Sequence, residues 1–142
     1  MIRIYRYSGK QESFLAVDGR DVEVPRFRER RTVHALCLIN EVDAILVVDK
    51  AEAADFRVDC YGRDGLPCRL SADAARCSVA FADLLGVKPF HSQDFKYETP
   101  DGRARTVKTS AIPVHAVPGE QVVVAEMSED ENALLQPDPL ID

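Results

Sequence analysis

The sequence predicts an α+β fold, a single lobe in which a curled antiparallel sheet surrounds a central helix, and three observations lead there. Over residues 72–85, apolar side chains from Ala74 to Leu85 cover most of a helical circumference and leave only Asp73, Arg76, Ser78 and Asp83 polar. A helix that is apolar nearly all round has to be enclosed by the rest of its domain. Most of the remaining apolar segments read as strands, either alternating with polar residues or running as short β-branched blocks. Finally, a chain of 142 residues supports one core of ordinary size and is too short for two.

Taken in order, Ile2 to Tyr7 and Phe14 to Val17 are two strands joined through the polar stretch Ser8 to Ser13, an opening hairpin. Asp18 to Asp21 is a turn. Pro25 suits the first position of a short helix reaching about Cys37, whereas Arg26, Phe27, Arg28, Glu29 and Arg30 alternate as a strand would, and both readings stay open. Ala44 to Val48 is an unbroken apolar run between Asp43 and Asp49, as in a central strand buried on both faces. Phe56, Val58 and Cys60 alternate with Arg57 and Asp59, which gives a strand with one face on a core, ended by Gly62 to Pro67. Ser71 is placed as N-cap of the central helix, Asp73 lies in its dipole-favoured first turn, and Gly86 follows its end. Phe95 to Thr99 and Arg103 to Thr109 flank the turn triplet Pro100-Asp101-Gly102, a second hairpin. Ile112 to Val117 and Gln121 to Met127 are two further strands around Pro118-Gly119. The ordered lobe is therefore expected over residues 1–127. Residues 128–142, acidic and carrying Pro137 and Pro139, cannot bury enough apolar surface to offset their ordering entropy and are expected to be disordered.

The charge balance of 18 Lys and Arg against 24 Asp and Glu is uneven, because six of the acids fall in residues 126–142 with no basic residue among them. The body is thus neutral, which argues against general nucleic-acid binding. An apolar run of about 18 residues is missing, as is a charged-then-apolar N-terminus, so neither membrane association nor secretion is expected and the chain reads as cytoplasmic. Cys37, Cys60, Cys68 and Cys77 show no C-x-x-C spacing, and His34, His91 and His115 are far apart. No metal or cofactor is expected, and the cysteines read as reduced thiols filling core positions, Cys68 having the best prospect of exposure.

The order Phe14-Leu15-Ala16-Val17-Asp18-Gly19-Arg20, Asp43 before an apolar strand, Ala54-Asp55-Phe56-Arg57, Asp64-Gly65 and Arg76-Cys77 resembles the N-terminal half of diaminopimelate epimerase. The likeness runs from Tyr7 to Met127 and rests on the order and spacing of weak matches. It implies a strand layer around a central helix, one of two such lobes that hold an amino acid between them, so that this chain would end where the second begins. The family's Cys-Gly-Asn-Gly at the start of the helix falls on Ser71-Ala72-Asp73-Ala74. On that alignment the proton-moving thiol becomes the hydroxyl of Ser71, and a substrate-holding Asn becomes Asp73, whose charge opposes a carboxylate. Glu12 and Gly62 replace two further Asn residues.

Three functions follow as expectations. The first is a non-catalytic module, similar to the truncated epimerase-like proteins of crocagin and other ribosomal-peptide pathways. It would dimerise with itself or with a related lobe, hold a precursor peptide and present it to the modifying enzymes. Its expected binding residues are Glu12, Ser71, Asp73 and the basic cluster Arg26, Arg28 and Arg30, with no catalytic residue. The second is an isomerase using Cys68 or Cys77 from each of two subunits. The third is a structural or regulatory subunit, for which the arginines are an ordinary solvated face.

Overall fold

The computed structural model describes residues 2–20, 27–89, 94–100, 104–107 and 121–124, with residues 2–3 and the last two stretches described by backbone alone. Its elements are β1 (Ile2–Ser8), β2 (Ser13–Asp18), α1 (Arg30–Asn40), β3 (Ala44–Asp49), β4 (Phe56–Gly62), α2 (Ala72–Leu84), β5 (Phe95–Glu98), β6 (Ala104–Val107) and β7 (Gln121–Val124). The strands form one seven-stranded sheet in the order β6-β5-β4-β3-β2-β1-β7. The expected strand at Ile112 to Val117, the turn residues Asp101 and Gly102, and the segment 128–142 lie outside the described residues. Among the described residues no helix is long and apolar enough to cross a membrane.

The fold is the expected α+β lobe, with one correction: the sheet is mixed. β2 runs parallel to β3 and β4 parallel to β5, while the other neighbours are antiparallel. Each parallel pair is separated in sequence by a helix, and a helical crossover is how a chain returns to the same end of a sheet to start a parallel strand. Alternation within single strands carries no information on their relative direction, so this was not visible in the sequence.

Both crossovers step the same way across the sheet, but β4 points opposite to β2. Right-handed connections therefore place the two helices on opposite faces. The core is divided accordingly. On the α2 face, Tyr7, Phe14, Ala16, Leu46, Val48, Phe56, Val58 and Cys60 pack on Ala74, Cys77, Val79 and Phe81. On the α1 face, Leu15, Val17, Ile45 and Val47 pack with Phe27, Val33, Leu36 and Cys37. β3 is consequently buried on both sides, as its unbroken apolar run demands. Strands β1, β2, β3, β4 and β6 all reach α2, so the sheet does curl around this helix. The rings of Tyr5 and Tyr7 close on Phe81 at centroid distances of 5.7 and 5.8 Å.

Residues 30–40 are a helix, which decides between the two open readings of that region. Val33, Leu36 and Cys37 recur at helical spacing and are all buried, a pattern that a strand cannot place on one face. The expected boundaries shift by several residues: Phe27 is in the core, Arg28 precedes α1 and Arg30 opens it. Arg28 and Arg30 do not project together from a strand, and Arg26 lies outside the described residues.

Candidate functional site

The first turn of α2 is built as expected at its cap. Ser71 has extended dihedrals, φ −72° and ψ 168°, and its Oγ accepts the Ala74 N–H at 3.0 Å. That bond satisfies one of the four amides that a helix start leaves without a partner. The Ser71 oxygen is therefore engaged in holding the helix.

Asp73 does more than balance the helix dipole. Its Oδ2 accepts the backbone N–H groups of Gln11 at 2.8 Å and Glu12 at 3.2 Å, and its Oδ1 accepts Arg76 Nη2 at 3.0 Å. The Gln11 N–H foremost, with Lys10, Arg76 and Glu12 contributing, holds the carboxyl below the usual carboxylate range despite the opposing effect of burial. The β1–β2 turn is thus fastened to α2 by an internal carboxylate. This close approach requires Gly9, where a Cβ would lie 2.4 Å from Asp73 Cγ.

Beside this junction a cleft of about 600 Å³ opens on the α2 face, with Val58, Cys60, Cys68, Arg69, Ser71 and Tyr97 in its wall. Its lining mixes apolar surface, from Leu70, Pro67 and Pro100, with thiols, the hydroxyls of Ser71, Tyr97 and Thr99, and one guanidinium. Cys60 and Cys68 meet across the hairpin that follows β4, at an Sγ–Sγ distance of 3.0 Å. Cys60 is buried and Cys68 exposed. The hydrogen bond between the two sulfurs favours the thiolate of Cys68, and the same bond, together with burial, pushes the Cys60 thiol up. Glu12 is close enough to disfavour negative charge on both sulfurs. Burial pushes the Cys77 thiol up to about 12, which fits its expected role in the core.

Of the residues expected to bind, Glu12, Ser71 and Asp73 come together at the start of α2, although Asp73 spends its charge inside the fold. Arg28 and Arg30 are elsewhere. Arg28 Nη1 donates to Asp59 Oδ2 and, at 3.1 Å, to Tyr61 Oη, and its Nη2 lies 3.6 Å from Asp49 Oδ2. Asp59 and Tyr61 alternate with Val58 and Cys60 along β4, so Arg28 is on the α1 face, across the sheet from the cleft. Arg30 Nε donates to the carbonyl of Asp64 at 3.3 Å. Arg28 is thus largely engaged inside the fold. Sequence reasoning missed Cys60, Arg69 and Tyr97 as cleft residues. For Cys60 a signal existed: it and Cys68 stand at mirror positions about the Gly62–Leu66 turn.

No family model matches the chain. Over 85 residues it is 31% identical to diaminopimelate epimerase from Chlorobaculum tepidum, a match spanning 58% of this chain and 32% of that protein. Two solved structures share the fold. The phenazine biosynthesis protein of the PhzF family from Bacillus anthracis aligns with TM-score 0.52 and 15% identity, covering 75% of this chain and 35% of that one. Its counterpart from Enterococcus faecalis aligns with TM-score 0.52 and 11% identity, covering 76% and 40%. The chain therefore spans about a third of the length of the epimerase it matches. Its resemblance to that enzyme in sequence and to PhzF proteins in structure agrees with an epimerase-like lobe.

Proposed function

We propose that this lobe is a non-catalytic binding module that holds an extended segment of a precursor peptide for the modifying enzymes of a ribosomal-peptide pathway. The supporting observation is the state of the α2 N-terminus. On the resemblance to the epimerase, the residue that would move the α-proton is Ser71, and its oxygen is held as a helix cap with the Ala74 N–H. An alcohol without an activating base is a poor proton acceptor. Asp73, on the same alignment a substrate-holding position, has its carboxylate bound to Gln11, Glu12 and Arg76. The adjoining cleft, with its mixed apolar and polar wall, suits side chains of a peptide whose backbone lies along the opening or adds to the edge of the sheet. A second copy of the chain supplies the facing lobe.

The exposed thiol of Cys68 in the cleft favours a second reading, an isomerase. Two-base proton exchange needs bases on opposite sides of the α-carbon, and sulfurs 3.0 Å apart on one wall cannot flank a carbon between them. The opposing base would have to come from a second copy. Calorimetric titration with precursor peptides, together with solvent deuterium incorporation at the α-carbon of free amino acids, separates the readings. Peptide binding without incorporation is expected. Incorporation above the buffer rate that is lost in Cys68→Ala would overturn the proposal in favour of the isomerase.

A further inference from the structure

We propose that Cys60 and Cys68 are a redox-closable dithiol, forming an intramolecular disulfide in the wall of the cleft by exchange with a low-molecular-weight disulfide. The first support is geometric. The Tyr61–Pro67 bridge, flanked by the Gly62 N–H to Leu66 carbonyl bond at 2.9 Å and the Cys68 N–H to Cys60 carbonyl bond at 3.0 Å, sets the two cysteines directly opposite each other. Opposed residues at such hydrogen-bonded positions have Cα atoms about 5.5 Å apart, inside the range of about 4.4–6.8 Å that a disulfide spans. The side chains already converge, with the sulfurs at 3.0 Å.

The second support is the division of labour between the thiols. Cys68 is exposed at the cleft, so it is the sulfur that an incoming disulfide reaches, and with Cys60 Sγ at 3.0 Å its thiolate has a hydrogen-bond donor at hand. Cys60 is 6% exposed and faces Cys68, so it is shielded from external reagents yet positioned as the resolving thiol. The charged groups around the pair are Glu12, which disfavours thiolate on both sulfurs, Asp64, which does so for Cys68, and Arg69, which also lines the cleft. By contrast Cys37 and Cys77 are fully buried, on opposite faces of the sheet, and have no such partner.

In the reaction, the Cys68 thiolate attacks one sulfur of R–S–S–R, forming a mixed disulfide and expelling one thiolate. The sulfur of Cys60 gives up its proton, attacks Cys68 Sγ and expels the second thiolate. Two protein thiols are oxidised, and the small disulfide is reduced to two molecules of thiol that carry the two protons. Closure removes both thiols from the cleft and ties the hairpin to β4, so a ligand held there meets a different wall in each redox state.

The test uses the full chain, reduced and then equilibrated with oxidised glutathione, alkylated after unfolding and mapped by mass spectrometry. Loss of two of the four alkylatable thiols is expected, located at Cys60 and Cys68 in one cross-linked peptide and restored by dithiothreitol. Cys60→Ser should instead accumulate a stable glutathione adduct on Cys68, and Cys68→Ser should remain essentially unreactive. The wild-type map decides the matter without relying on the folding of either variant. A wild-type protein that stops at the glutathione adduct, cross-links between chains, or keeps all four thiols alkylatable overturns the proposal.

Discussion

Replacing Asp73 tests whether this carboxylate ties the β1–β2 turn to the central helix. In Asp73→Ala, the Gln11 and Glu12 amides and the Arg76 guanidinium all lose their acceptor. Hydrogen bonds to a charged group contribute about 1.5–3 kcal/mol each, but Gln11 is exposed and water can take over part of the loss, so the three together should cost about 2–4 kcal/mol. Asp73→Asn keeps one acceptor oxygen for the two amides and turns an amide group towards Arg76, so about 1–2 kcal/mol is expected. The pH dependence has a definite sign. A carboxyl with a lowered folded-state pKa stabilises the fold above its unfolded value of about 4, and that stability is lost as the pH falls through its folded value. Urea unfolding at neutral pH and at stepwise lower pH reads both effects. The Ala variant should lose stability at neutral pH, and both variants should lose part of the wild-type acid dependence. An unchanged midpoint in Asp73→Ala, or an identical acid profile in all three proteins, would refute the reasoning.

Gly9→Ala should reproduce much of the Asp73 effect from the other side of the contact, since its Cβ would sit 2.4 Å from Asp73 Cγ and force the turn away; a loss of about 1–3 kcal/mol in chemical unfolding is expected, largely non-additive with Asp73→Ala. Gly65→Ala meets two obstacles, a φ of +83° and the Arg30 carbonyl oxygen 2.3 Å from the new Cβ. A destabilisation of about 2 kcal/mol or more is expected, with the β4 hairpin losing hydrogen-exchange protection first. Arg28→Gln should lower stability by about 1–3 kcal/mol, because Asp59 is 4% exposed and loses a charge-assisted partner. In a peptide titration the same variant should leave affinity within about twofold, since Arg28 lies across the sheet from the cleft; a larger loss would return the arginine to the binding site.

Much of the fold was readable because it depends on local rules. The β3 run is apolar on both faces because helices cover both faces of the sheet, and the apolar circumference of α2 reflects strands curled around it. Ser71 caps the start of that helix through its hydroxyl, and Gly86, which lacks a Cβ, takes a φ of +86° just past its end. Other decisions needed the tertiary structure. Arg26 to Arg30 alternate in sequence, yet the burial of Val33, Leu36 and Cys37 makes the following residues helical, and Asp59 from a strand 31 residues away draws Arg28 into the protein. Strand direction was also undetermined, because an alternating pattern is the same read either way, and only the crossovers make two of the six pairings parallel. At the candidate site, sequence could assign residue types to the start of α2. It could not show that Asp73 meets amides 61 and 62 residues earlier in the chain, or that the exposed Cys68 meets Cys60 at the edge of the core. Propensity and capping act within a few residues and can be read along the chain, whereas the partner of a charge or a thiol is set by contacts between segments that come together only when the sheet closes around its helix.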